Sequence, residues 1–254
     1  MQLDNGTDWG LLAAAFALGM MLVHRVQRAS RHRTRSSPAT QASVRPGWER
    51  PASQLAVHDA PTLARITCTE ALLRSIEQRS RFSQAMYERD AQPLLQAFAE
   101  FVQLLPASES HHHAQPGGLW IHSLEVVDAA LTYRAGIELP PGASTEVRKR
   151  LEHRWTFAVL AAALLHDVGK PVSDLVVTLF AQDPRAGTPW IPLAGPMRGC
   201  GASHYAVAFV DGPQRSYAAH QKLAAMLLHR FLPPRLMQWL ADDGDVLLQL
   251  LAYL

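Results

Sequence analysis

Three regimes of apolar and polar patterning succeed one another along this chain. From Trp9 to Val23, "WGLLAAAFALGMMLV" contains no charge and shows no polar face. From Arg28 to about Ser53, "RASRHRTRSSPATQASVRPGWERPAS" has no periodic apolar face and is rich in Arg, Ser and Pro, which predicts a flexible linker. Beyond it, apolar residues recur at helical spacing and give way once to short β-branched runs.

Within the third regime, Asp59 with Pro61 just inside it marks a helix start, and Leu63, Ile66, Leu72, Leu73 and Ile76 follow at helical intervals. A second stretch carries Leu94, Leu95, Phe98, Phe101, Val102 and Leu105 before Pro106 ends it. "GGLWIHSLEVVDAALTYRAG" predicts a helix entered through Gly117 and Gly118. The next, from about Ser144 through "RWTFAVLAAALLHD", is apolar on nearly all sides near its end and is expected to be the central helix. Between Val172 and Gly212, "DLVVTLF", "PWIPL" and "HYAVAFV" predict a small antiparallel sheet or loop insert. Helices resume with "SYAAHQKLAAMLLHRFLP", "PPRLMQWLADDG" and "DVLLQLLAYL". The expected fold class is mainly α, with a small β-hairpin insert, and there is no internal repeat.

Composition refines this picture. At 254 residues with 48% apolar and 18% charged side chains, the chain can bury a proper core. The formal net charge of +2 conceals seven arginines between His24 and Arg50, against the single acid Glu49. Asp4 and Asp8 precede the first apolar run and the basic residues follow it, the reverse of a secretory signal peptide. Residues 9–26 therefore read as a single membrane anchor holding a cytoplasmic body at the inner membrane, or as a buried N-terminal helix. The expected organisation is an apolar helix over 1–28, a linker over 29–55 and a folded domain over 56–254. Cys68 and Cys200 are too few for a disulfide framework.

Chemistry concentrates in the twelve histidines. "SESHHHAQPGGLWIH" supplies His111, His112, His113 and His122, "LLHDVGKP" supplies His166, Asp167 and Lys170, and the helix after the insert supplies His220 and His229. His204 lies in the insert itself. A single histidine on an apolar helix is usually a hydrogen-bonded core residue. A divalent metal, by contrast, needs imidazole nitrogens and a carboxylate brought together from several helices. His122, His166, Asp167 and His220 have that composition. Lys170, just beyond, is placed to neutralise a phosphate oxygen.

"LPASESHHHAQPGGLWIHSLEVV", "LLHDVGKP" and "AAHQKLAAMLLHRFLPP" together resemble the TraI-type N-terminal domain of MobH-class conjugative relaxases, within the HD-domain superfamily. The resemblance runs from about Thr62 to the C-terminus. It implies an HD-hydrolase-like fold and a bound divalent metal, with Mn, Mg, Fe and Zn all open. It also implies nicking of single-stranded DNA at a transfer origin of a conjugative or integrative mobile element, in company with the conjugation machinery. By position, His122, His166 and Asp167 match the metal ligands and His220 a further histidine, while His111, His112 and His113 match the triple-histidine motif. The nucleophilic tyrosine is expected at Tyr205 or Tyr217, ahead of Tyr87 or Tyr133.

Part of that family carries a helicase label, yet a P-loop needs GxxxxGK[ST], and Gly169-Lys170 is followed by Pro171 without the earlier glycine. A second aspartate normally closes an HD site on a late helix. Here Asp242, Asp243 and Asp245 precede the last helix, Asp245 reads as its cap, and the domain is expected to be C-terminally truncated. Two alternatives accompany the relaxase reading: a generic metal-dependent phosphohydrolase acting on nucleotides, and an inactive fragment that binds DNA or a partner.

Overall fold

The protein was examined as a computed structural model, which describes residues 54–110, 112–181, 186–210 and 219–254. The apolar N-terminal run, the Arg/Ser/Pro stretch up to residue 53, His111 and Tyr217 lie outside the described residues, as does the side chain of His220.

Asp59 caps the first helix, α1 (Ala60–Ile66), accepting the Thr62 N–H at 3.0 Å, with Pro61 in the first turn. The stretch expected to continue from there breaks at Thr67–Thr69, where Cys68 takes a left-handed φ of 54°, and restarts as α2 (Glu70–Ser80). A π-helical turn, Tyr87–Ala91, precedes α3 (Gln92–Val102). Gln103, at φ 47°, ends α3 before Pro106 is reached. Its buried amide accepts the His58 N–H and donates to the His58 carbonyl, tying the start of the body to α3.

Helix α4 (Gly118–Arg134) packs against α2 and along α5 (Thr145–Leu165), which Ser144 caps. The second half of α5 is buried almost without interruption, with Phe157, Leu160, Leu164 and Leu165 fully enclosed, as its all-round apolar pattern requires. Three further helices, α6 (Ala219–Phe231), α7 (Pro234–Ala241) and α8 (Gly244–Tyr253), complete the helical body, α7 and α8 packing on α5. Asp243, not Asp245, caps α8 by accepting the Val246 N–H, because it stands immediately before the first helical residue.

The insert is larger than a hairpin. Strands β1 (Leu55–Ala56), β2 (Leu175–Phe180), β3 (Gly187–Pro189) and β4 (His204–Phe209) form an antiparallel sheet in the order β1-β4-β2-β3. Along β2, Leu175, Val177 and Leu179 face the core while Val176 is exposed, the alternation expected of a one-sided sheet. β1 comes from residues expected to be the end of the linker, so sheet pairing extends the folded body to Leu55. "PWIPL" forms no strand; its Pro192–Ala194 portion is a 3-10 turn.

The expectation of a membrane protein is corrected here. Among the described residues no helix is long and apolar enough to cross a membrane. The run over 9–26 lies outside them, and no membrane partner is carried further.

Candidate metal centre

Two elements meet at the centre. α5 ends at His166, its C-cap residue, where the last carbonyls of a helix lack intrahelical partners. His166 Nδ1 lies 2.8 Å from the Ala163 carbonyl, so Nδ1–H donates there and the ring is fixed with Nε2 pointing away. From the first turns of α4, His122 brings its Nε2 to 3.3 Å from His166 Nε2. Asp167 Oδ2 stands 3.2 Å from His166 Nε2 and 3.5 Å from His122 Nε2. One donor atom from each of these three residues fits within 4.8 Å of the others, a spacing suited to a shared ion.

The electrostatics agree with this donor set. Burial pushes the His122 imidazole down to about 3, assisted by neighbouring His166 and Lys170, so it stays neutral with a lone pair available. Burial alone would also lower His166, but the Asp167 charge and hydrogen bond, with the Ala163 carbonyl, raise it overall. Asp167 lies well below the carboxylate range: burial opposes its ionisation, but His166 and Lys170 outweigh that penalty. A neutral imidazole, an imidazole whose Nδ1 is already engaged and an ionised carboxylate are the ligand types a divalent cation takes.

Lys170 occupies a different place from the one its sequence position suggested. The short turn after Asp167 returns it at i+3, where Nζ lies 2.7 Å from Asp167 Oδ2 and donates to the Ala107 carbonyl at 3.1 Å. Both contacts bind the ammonium inward, so it clamps the "LPASES" segment to the aspartate rather than standing free for a phosphate.

That segment folds back on itself. Ala107 N–H donates to the His113 carbonyl and Ser108 Oγ to the His112 carbonyl, while Gly117 N–H and Leu119 N–H return to Leu104 and Leu105. The paired glycines have a steric reason. Gly117 adopts φ 77°, and a Cβ on Gly118 would meet the His113 carbonyl oxygen at 1.8 Å. The resulting turn lays His113 beside His122, with ring centroids 5.3 Å apart, and its Nε2 3.1 Å from Glu125 Oε2. Sequence reasoning missed Glu125, although its i,i+3 spacing from His122 places both on one helix face.

Among the expected site residues, the fold thus gathers His122, His166, Asp167 and Lys170, with His113 alongside and His112 half-buried in the same turn. His229 is exposed on α6 and His204 is exposed on β4, its Nδ1 3.1 Å from Ser203 Oγ. Tyr205 is fully buried on β4, and its hydroxyl accepts the Leu104 N–H at 2.9 Å, so it is a structural pin and not a group open to a DNA strand. Among the late aspartates, Asp243 caps α8 and Asp242 lies 3.8 Å from Arg154, and neither belongs to the cluster.

A search of curated proteins found no match. A family model named TraI_2, described as "Putative helicase", matches residues 55–254, a span that holds every described strand and helix and the whole histidine–aspartate cluster. The chain belongs to the TraI_2 family, whose type is that of relaxase-related proteins of conjugative elements.

Proposed function

We propose that this chain is an HD-type, metal-dependent DNA-processing protein, related to the MobH-class relaxases that nick single-stranded DNA at a transfer origin. The observation that carries the reading is the convergence of His122, His166 and Asp167 within one ligand sphere, across the interface of α4 and α5. A divalent ion held by these residues would act as Lewis acid on a phosphodiester and lower the pKa of an attacking hydroxyl. The protein's own contribution is orientation: Ala163 fixes the His166 ring, Lys170 holds Asp167, and Glu125 holds His113 beside His122. His220 is the proposed further ligand and Tyr217 the proposed nucleophile. The proposed unit is an HD-hydrolase-like domain over 56–254 in a cytoplasmic setting, with conjugation machinery as its partner. Helicase activity is not part of this reading, because the chain lacks a P-loop.

One observation favours a second reading. Lys170 Nζ already sits 2.7 Å from Asp167 Oδ2, where it supplies the positive charge a cation otherwise brings. The cluster would then be a structural ion pair in a DNA-binding accessory protein. Elemental analysis of the purified chain, beside the folded His166→Ala/Asp167→Ala variant, separates the two. Near-stoichiometric metal lost in the variant, with nicking of single-stranded DNA lost in parallel, supports the relaxase reading. No metal in a folded parent supplied with Mn, Mg, Fe and Zn in turn supports the accessory reading.

A further inference from the structure

On the far side of α4 from His122, Trp120 helps to line a cleft of about 250 Å³ between α1, α2, the π turn and the start of α3. Trp120 precedes His122 by two positions, about 200° around the helix, so the cleft and the histidine cluster open on different faces.

The π turn shapes this cleft. Its i to i+5 closure runs from the Gln92 N–H to the Tyr87 carbonyl and stacks these two residues, which an α-helix would set about 140° apart. Tyr87 is only 7% exposed and lines the cleft, yet its hydroxyl has no hydrogen-bond partner among the described residues. Burial, with the Glu77 carboxylate nearby, pushes this phenol up to about 12, so it remains a hydrogen-bond donor. Gln92 and Gln96, one turn apart at the rim, also have no side-chain partner among the described residues, and Arg74 forms no ion pair with them.

These groups narrow the class of ligand. A purely apolar ligand would leave the tyrosine hydroxyl and two amides facing a dry surface, at a cost for each. A small inorganic anion would sit against Glu77 and make no use of the aromatic walls. A nucleotide satisfies all of them. A base has a π-face for aromatic side chains and an edge of donors and acceptors that glutamine amides match, its exocyclic amine suits a carboxylate, and its phosphate suits a guanidinium.

We infer that this cleft binds one nucleotide, with the base against Tyr87 and Trp120, its edge read by Gln92, Gln96 and Glu77, and its phosphate met by Arg74. The site is separate from the histidine–aspartate cluster. It rests on the proposed function only for one of two sources of the nucleotide, a base of a bound single strand, the other being a free mononucleotide.

The test is calorimetric titration of the full chain with each of the four deoxynucleoside monophosphates, and fluorescence anisotropy with a labelled single-stranded 20-mer. Three variants accompany the parent, each checked for helix content: Gln92→Ala/Gln96→Ala and Arg74→Ala at exposed rim positions, and Tyr87→Phe, which keeps the ring. Mononucleotide binding that weakens about tenfold or more in the glutamine pair and about fivefold in Tyr87→Phe supports a free nucleotide. The same losses seen only with the oligonucleotide support a strand-borne base. Failure of both probes to bind the parent, or binding indifferent to all three variants, overturns the inference. The His166→Ala/Asp167→Ala variant keeps the failures apart: nucleotide binding is expected to persist there, and its loss in a folded sample places the ligand at the cluster and overturns the inference. Loss of metal or of nicking in that variant bears on the proposed function alone.

Discussion

The histidine–aspartate cluster and the tyrosine cleft lie on opposite faces of α4 and are built on opposite principles. In the cluster, Asp167 meets His166, His122 and Lys170, His166 also bonds the Ala163 carbonyl, and Lys170 the Ala107 carbonyl. In the cleft, Tyr87, Gln92, Gln96 and Arg74 find no side-chain partner among the described residues. Buried charges hold a cluster together and make it sensitive to the loss of any member. Unpaired polar groups around a cleft cost little in the fold when changed, because no protein contact depends on them. The comparison therefore predicts stability effects at one face and binding effects without stability effects at the other.

The largest effect is expected from Asp167→Ala. It leaves the Lys170 ammonium and His166 without their shared carboxylate, and a cost of about 3–5 kcal/mol is expected, as for other broken buried pairs. Urea unfolding of the metal-free chain measures it; a change below about 1 kcal/mol would mean that water already serves these charges. Gly118→Ala comes next, at about 1–3 kcal/mol, because the new Cβ must displace the His113 carbonyl. The same denaturation experiment reads its stability, and histidine NMR shifts read the accompanying movement of His113 away from His122.

Acid sensitivity follows from the same face. His122 is depressed to about 3 in the folded chain, against about 6.5 unfolded, so its contribution is complete above pH ~6.5 and is lost as pH falls toward 3. Asp167, also depressed, adds a loss in the same direction below its unfolded value of about 3.9. His166 is raised, so its contribution is present below about 6.5 and lost as pH rises through its folded value. Urea midpoints of the metal-free parent are expected to fall between pH 6.5 and 4.5, and His122→Gln is expected to flatten that slope. An unchanged slope in the variant would assign the acid loss elsewhere.

Smaller effects test the remaining placements. Tyr205→Phe leaves the buried Leu104 N–H unpaired and is expected to cost about 1–2 kcal/mol while leaving metal content unchanged. Asp243→Ala is expected to cost about 1 kcal/mol by removing the α8 cap, and Asp245→Ala less than half of that. Thermal melts of the two aspartate variants side by side decide which residue caps. Tyr87→Phe, in the cleft, is expected to move stability by less than about 0.5 kcal/mol.

Much of the helical frame was legible because its signals are local. Asp59 with Pro61, Ser144, and the Gly117-Gly118 entrance all mark helix starts that the fold keeps. The break at Cys68 and the π turn at Tyr87–Ala91 were not legible, since both depend on what packs against them: Trp120 Nε1 donates to Thr69 Oγ1, and Asp90 is buried under Arg89 and Arg235. The reading of Asp245 as the α8 cap slipped by two residues because three aspartates in one turn offer nearly equal caps until the backbone selects Asp243.

From the chain alone came the order of helices, the buried character of α5, and the pairing of His122 with His166-Asp167 as the candidate ligands. Each of these follows from periodicity or from residue chemistry at short range. Only the tertiary structure decided that Lys170 turns inward to Asp167 and Ala107, that Tyr205 is a buried pin, that β1 closes the sheet, and that Tyr87 lines a cleft behind Trp120. Those outcomes join residues tens of positions apart, from Leu55 pairing with Tyr205 to Lys170 bonding Ala107. The partner of a polar side chain at that range is set by which helices and strands are brought into contact, and a one-dimensional pattern does not carry that contact.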